Sequence, residues 1–397
     1  MVNNFGFHVI QTCPDSHARA AELVTPHGVV PTPVFMPVGS QATVKTVTPD
    51  ELKDMGIAMV LANTYHLYLR PGMDVIRKFG GLHKFMAWDR AILTDSGGYQ
   101  IFSLARLRKV NDDGVVFRSH IDGSQHLITP ELSIQLQQSL GADVIMVLDE
   151  VLSYEDDYEK VKAALVRTHK WAERCQKAQT RSDQALFAIV QGGFYPELRY
   201  KSVKFLTSID FAGYAIGGLS LGEPKTLTRT TVKETVCLFP ENKPRYLMGV
   251  GSPEDIVDSV DKGIDMFDCV LPTRVARNGA LLTWQGRHNI RNAAYSEAEG
   301  PIESGCDCYT CCNFSSAYLH HLFKCEELLA YRLSTIHNLN FMSNLMSKIR
   351  EAIIDGTFKS FKDNFLTVYR STDEKVRIEQ KQKWLEARNH GKTTDDS

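Results

Sequence analysis

The chain has 397 residues, 43% of them hydrophobic and 23% charged, the balance of an ordinary globular protein. That length exceeds the roughly 250 residues of a minimal (β/α)₈ barrel and fits one large domain carrying insertions. A formal net charge of −2 excludes a globally basic nucleic-acid binder, so any RNA contact must come from a local basic patch.

Read from the N-terminus, MVNNFGFHVI lacks the charged-then-apolar pattern of a secretion signal. No run approaches the roughly 18 apolar residues of a membrane span, so the expected compartment is cytoplasmic. Short apolar runs then recur, each closing in polar or glycine-rich residues: 34–39, 59–64, 92–97, 144–150, 186–193, 214–220, 246–251 and 266–273. Such runs suit strands buried on both faces. Helical patterns separate most of them, at 48–55, 130–140, 156–180, 196–207, 225–239 and 253–262. Eight strands alternating with helices predict a closed parallel (β/α)₈ TIM barrel. An open doubly wound sheet is the rival, weakened because no G-x-G-x-x-G follows the first run. The gap between the third and fourth runs predicts an insertion, near 101–130. There, Val115–His120 and Gln125–Ile128 flank the hairpin signal Asp122-Gly123.

After Asn278 the pattern changes to a turn-rich stretch, a cysteine cluster and helical periodicity from Ser315 to about Asp355. The predicted division is a catalytic barrel with an N-terminal extension over 1–290, a metal-bearing helical appendage packed on the barrel over 291–375 and a polar tail over 376–397. Of nine cysteines, Cys13, Cys175, Cys237, Cys269 and Cys325 are scattered through apolar or helical contexts. Cys306, Cys308, Cys311 and Cys312 crowd into seven residues, which in a chain without a secretion signal favours metal over disulfide. Cys306-x-Cys308-x₂-Cys311, completed by His337, provides three thiolates and an imidazole, a set suited to one closed, structural Zn²⁺ site. Cys312 is left as a bystander.

In a barrel, chemistry collects where the strands end and the βα loops open. Those ends carry Asp95-Ser96-Gly97-Gly98-Tyr99, Asp149-Glu150, Gln191-Gly192-Gly193, Gly217-Gly218-Leu219 and Asp268. One strand-end Asp is ordinarily a cap or loop anchor; three Asp and a Gln at one mouth point to a site. A carboxylate can attack an anomeric carbon while a second carboxyl moves protons, and Asp149 with Gln191 can read the amide-like edge of a heterocycle.

At these residues the sequence resembles the queuine/archaeosine tRNA-guanine transglycosylase family, in its bacterial form. The blocks are MPVGSQATVK, ANTYHLYLRPG, TDSGGYQIFSL, VLDE, IVQGG, YAIGGLSLGE, YLMGVGSPED, FDCVLPTRVARNG and the Cys/His set. The resemblance implies that Asp268 is the nucleophile at ribose C1′ of the anticodon wobble nucleotide, and Asp95 the general acid/base. It implies a base pocket of Asp95, Ser96, Gly97, Gly98, Tyr99, Asp149, Gln191, Gly218, Leu219 and Met248, with Asn63, Thr64 and His66 behind Asp95; His66 reads equally well as a core histidine. RNA contacts would come from Gly249, Val250, Gly251, Ser252, Pro253, Glu254 and Asp255, and from Thr273, Arg274, Val275, Ala276 and Arg277, with Arg287 and Arg291 extending a basic rim. A tRNA with a GUN anticodon, a deazaguanine base and a homodimer follow from the same resemblance.

Two positions bear on the incoming base. Val151 matches queuine-using relatives, whereas the bulk of Leu221 argues against a large cyclopentenyl substituent, so the expected substrate is preQ1 (7-aminomethyl-7-deazaguanine), with queuine as the alternative. A non-catalytic tRNA-binding subunit and a glycoside hydrolase are the other readings. Intact Asp95 and Asp268 oppose the first. The second needs an aromatic sugar platform, and none of the four Trp stands at a strand end.

Overall fold

A computed structural model of the chain describes residues 5–104 and 108–371; the polar tail expected over 376–397 lies outside them. The apolar runs form eight strands: β1 (Val34–Pro37), β2 (Met59–Ala62), β3 (Ala91–Thr94), β4 (Val144–Met146), β5 (Ala185–Val190), β6 (Gly213–Ile216), β7 (Arg245–Leu247) and β8 (Met266–Cys269). Their order is β1-β8-β7-β6-β5-β4-β3-β2, and every pair is parallel. A parallel bridge between Val38 and Leu61, with the Gly39 N–H donating to Leu61 O at 2.6 Å, joins β1 to β2 and closes the ring. The fold is the expected TIM barrel, and the open-sheet rival falls.

Most strands stop a few residues before the predicted runs do. Their glycine-rich tails look apolar in sequence but leave the ladder and become the βα loops. Seven strands are buried at every position, whereas β8 turns half-open at Asp268 and Cys269, at the rim. The outer helices begin where side chains cap them. Thr48 forms a capping box with Glu51 ahead of Pro49–Asp54, Thr129 accepts from Leu132 N ahead of Pro130–Leu140, and Asp157 accepts from Lys160 N ahead of Tyr158–Ala178. Each such cap stabilises its helix by about 1 kcal/mol.

The insertion is a meander of three strands, Arg108–Val110, Val115–Arg118 and Gln125–Ile128, one strand more than the predicted hairpin. The N-terminal extension is an antiparallel sheet (Gly6–Thr12, Arg19–Thr25, Gly28–Thr32), whose strands the sequence did not show, and it docks against the N-terminal ends of the barrel strands. Arg19 clamps Asp265 there with bonds of 2.9 and 2.6 Å. The helical stretch from Ser315 is two helices, Ser316–Lys324 and Leu328–Ile354, broken where Glu326 takes a φ of +56°. The longer one buries Ile336, Leu339, Met342, Leu345 and Ile349 in the barrel's core, while its first turn joins a separate small cluster with Leu281, Leu319 and Phe323. No helix among the described residues is long and apolar enough to cross a membrane.

Candidate active site

Asp95 follows β3 and is buried. Its Oδ2 accepts from Asn63 Nδ2 at 2.5 Å and its Oδ1 from the Thr64 N–H at 2.8 Å, while Thr64 Oγ1 donates to its backbone carbonyl at 2.6 Å. Burial pushes the carboxyl up to about 6, the bonds from Asn63 and Thr64 pull it back, and the charge of Asp268 raises it again. The resemblance-based placement of Asn63 and Thr64 behind Asp95 is therefore what the structure contains. His66 Nδ1 is buried with no hydrogen-bond partner among the described residues, and burial lowers this imidazole's pKa, followed by His120 and Lys45.

Asp268 sits at the end of β8, across the barrel mouth from β3. Its Oδ1 accepts two bonds, from Tyr246 Oη at 2.5 Å and from the Gly249 N–H at 2.8 Å. Protein surrounds the carboxyl on most sides, and that desolvation raises its pKa, opposed first by the Tyr246 bond. Two carboxyls poised above their ordinary range, at one rim and within reach of each other's field, can divide nucleophilic and proton-transfer work. Tyr246 was not among the sequence candidates. It lies inside β7, fully buried, where periodicity marks core. Burial and then the Asp268 charge hold its phenol protonated.

Between the two aspartates lies a polar recess. Gln191 Nε2 donates to Asp149 Oδ2 at 2.7 Å, both side chains being buried. Burial pushes Asp149 up to about 6, with Gln191 the largest opposing influence and Ser96 a smaller one. Glycine at 98 and 218 is a matter of room. A Cβ on Gly98 would fall 2.8 Å from Asp149 O, and one on Gly218, where φ is +72°, would fall 2.4 Å from Gln191 Oε1. Ser96, Gly97 and Leu219 are buried around the recess, Met248 is half-buried, and Tyr99 stands exposed at its lip. Glu223, a second residue missed in sequence, accepts from the Leu221 and Gly222 N–H groups at 2.8 and 3.0 Å and so holds the loop after β6. A carboxylate just past a Gly-rich turn was the available signal.

The stretch expected to meet RNA runs along the same rim. Arg274 and Arg277 share the short helix Leu271–Arg277, close enough that each feels the other's charge. Glu254 and Asp255 are neutralised by Lys225 at 2.7 and 2.6 Å, with Arg229 also on Asp255 at 3.1 Å. Those acids therefore present no bare negative charge to phosphate. Arg287 is exposed, while Arg291 lies 5.0 Å over the Phe323 ring.

Cys306, Cys308, Cys311 and His337 converge as a group able to hold a metal ion. His337 Nδ1 lies 3.8, 3.6 and 3.4 Å from the three Sγ atoms. A tetrahedral ion with bonds of roughly 2.3 Å to sulfur and 2.0–2.1 Å to nitrogen has S···N edges of about 3.6 Å. His337 Nε2 meets Leu282 O at 2.8 Å, which keeps the proton on Nε2 and leaves the Nδ1 lone pair facing the sulfurs. Cys312 is exposed, outside the group. A second set, His27, His83 and Asp143, also gathers possible ligands, at the opposite end of the barrel. Its imidazoles stack 3.5 Å apart at 14°, so their in-plane lone pairs run parallel and do not meet at one ion. This set is a hydrogen-bonded latch between the N-terminal sheet and the barrel floor.

A family model described as queuine tRNA-ribosyltransferase matches residues 13–371. The chain is 61% identical to a queuine tRNA-ribosyltransferase of Dehalococcoides mccartyi, over 96% of this chain and 97% of the relative. It is 58% identical to one of Caldanaerobacter subterraneus subsp. tengcongensis, over 91% and 97%, and 53% identical to one of Moorella thermoacetica, over 92% and 98%.

Proposed function

The chain belongs to the queuine tRNA-ribosyltransferase family and is a tRNA-guanine transglycosylase; on that premise we propose that Asp268 is its nucleophile and Asp95 its general acid/base. Asp268 attacks ribose C1′ of the wobble nucleotide in a tRNA with a GUN anticodon. The C1′–N9 bond of guanine breaks, and the ribose is held as an ester of Asp268. Both protein donors fall on Oδ1, which leaves Oδ2 as the attacking oxygen. Asp95, poised near pH 6, supplies a proton to the departing base and takes one from the incoming base, whose nitrogen then displaces Asp268. Two displacements retain the configuration at C1′. The target base must leave its stack to reach the recess, where Asp149, Gln191 and Gly218 read its edge.

The observation that carries this reading is the coupling of the two carboxyls at one rim, with the Asp149–Gln191 pair between them. The incoming base is preQ1, because Leu221, within the loop after β6, adds bulk that opposes a large cyclopentenyl substituent. Zn²⁺ fits the Cys₃His group, where it supplies structure rather than chemistry. Phosphates lie along 249–255 and the Arg274/Arg277 helix. The barrel over 1–290 and the appendage over 291–375 work as one cytoplasmic homodimer subunit.

The test is exchange of labelled guanine into tRNA, followed by competition between preQ1 and queuine. Asp268→Asn should abolish exchange while tRNA still binds, and withholding the second base should trap a tRNA adduct on the wild type. Exchange that survives in Asp268→Asn refutes the assignment, and preferential queuine incorporation refutes the choice of base.

A further inference from the structure

Arg199 lies on the helix Pro196–Ile209 that follows β5, with 2% of its surface exposed. Its guanidinium donates to three backbone carbonyls: Nε to Gly193 at 2.8 Å, Nη1 to Val190 at 2.9 Å and Nη2 to Gly217 at 2.9 Å. The opposing charge it feels is Glu223, acting through space. Burial lowers its pKa to about 9, so it stays charged at neutral pH.

A buried cation held by carbonyls is costly for a fold, and an apolar side chain would pack that helix face at less expense. Its placement relates it to the recess. Val190 and Gly193 flank Gln191, and Gly217 precedes Gly218, so one guanidinium ties together the two loops that line the recess. A Cβ on Gly218 would lie 3.7 Å from Nη2, which puts the charge directly behind that residue. The Gly217 carbonyl and the Gly218 N–H belong to one peptide group, and a cationic donor on the carbonyl polarises that group and strengthens the N–H as a donor.

We propose that Arg199 is a positioning residue for base exchange, which locks the Gln191 and Gly217–Gly218 loops in register and sharpens the Gly218 N–H toward the exocyclic oxygen of the purine. It rests on the base-pocket reading given under Proposed function. As guanine departs, negative charge spreads from N9 toward that oxygen, where a pre-aimed donor counts most. An outer cleft of about 230 Å³ on the barrel's flank, bordered by Phe194, Tyr200, Glu234 and Leu238, has Arg199 in its lining, so truncating that side chain would extend the cleft inward.

Guanine exchange by the full-length enzyme, with KM measured separately for guanine and for tRNA and Tm recorded, tests this. Arg199→Lys should raise the guanine KM about 10-fold, the loss of one charge-assisted bond, with the tRNA KM unchanged. In Arg199→Ala, millimolar guanidinium should restore the guanine KM, and sodium chloride at equal ionic strength should not. If both KM values move together, or if only kcat falls in proportion to the folded fraction, Arg199 is merely structural and the proposal is overturned. A wild-type guanine KM in Arg199→Lys overturns it too. The pocket reading fails separately, taking this proposal with it, if Gln191→Ala leaves the guanine KM unaltered in an enzyme that exchanges guanine.

Discussion

Tyr246 and Asp268 stand on neighbouring strands and share a hydrogen bond of 2.5 Å, with the phenol donating to Oδ1. The direction is set because burial and the Asp268 charge together keep the phenol protonated. This bond and the Gly249 N–H both pin Oδ1, which aims the carboxylate and lowers its pKa against the pull of burial. Tyr246→Phe removes one of the two. Steady-state exchange should show kcat down by about 10- to 100-fold with the tRNA KM unchanged, since no RNA contact is lost. Its acid limb should lie at higher pH than that of the wild type. A variant with normal kcat would show that Gly249 alone suffices to aim Asp268.

Asn63 performs a similar service for Asp95 at 2.5 Å. Burial drives the Asp95 pKa up to about 6, and the Asn63 bond is the largest influence holding it down. Removing that bond in Asn63→Ala must move the pKa further up. In the half-reaction where Asp95 must be unprotonated to take a proton from the incoming base, the acid limb of kcat/KM for that base should therefore shift upward by about one pH unit, so that at pH 6 the variant loses more activity than at pH 8. A downward shift, or a uniform loss at every pH, would mean that the limb belongs to another group.

The eight strands were legible because a strand buried on both faces is apolar at every position, and the short runs 59–64 and 144–150 are of that kind. Asp95, Asp149 and Asp268 were legible because a charge at the end of such a run breaks its pattern. Tyr246 was not, since an aromatic inside an apolar run carries no sign that its hydroxyl reaches a carboxylate on the neighbouring strand. Arg199 was not legible either, since only the fold brings its carbonyl partners together from chain before and after its helix. The N-terminal strand Gly6–Thr12 is largely exposed, so no buried face disciplines its sequence into alternation.

Loss of the metal should be felt beyond the cysteine loop. His337 lies on Leu328–Ile354, whose later turns sit in the barrel core, and its Nε2 holds Leu282 O. Elemental analysis should find one zinc per chain. A strong chelator, or Cys308→Ala, should lower Tm by several degrees or more. Near-wild-type kcat per folded molecule should remain, because the Cys₃His group offers no open position for substrate. A chelated enzyme that keeps its Tm but loses kcat would give the metal a catalytic part and contradict a structural one.

Asp143 provides the converse case, a charge that serves the fold and lies far from the chemistry. It is buried below β4, where Oδ1 meets His27 Nδ1 at 2.7 Å, and Oδ2 accepts from the Ile92 N–H at 2.8 Å and faces His83 Nε2 at 3.3 Å. Burial alone would raise its pKa, but the His83 and His27 bonds and the Ile92 N–H overcome that and hold it below the ordinary carboxylate range. A carboxyl whose folded pKa is depressed contributes stability that is complete above its unfolded pKa and disappears as pH falls through the folded value. Asp143→Asn should therefore cost about 2 kcal/mol in urea unfolding at neutral pH, with the gap to wild type constant down to roughly pH 4 and narrowing below. Exchange kinetics at pH 7 should be unchanged, since the latch lies at the opposite end of the barrel from Asp95 and Asp268. A gap that instead widens toward acid would mean that the folded protein holds Asp143 protonated, and the latch between sheet and floor would need another source of attraction.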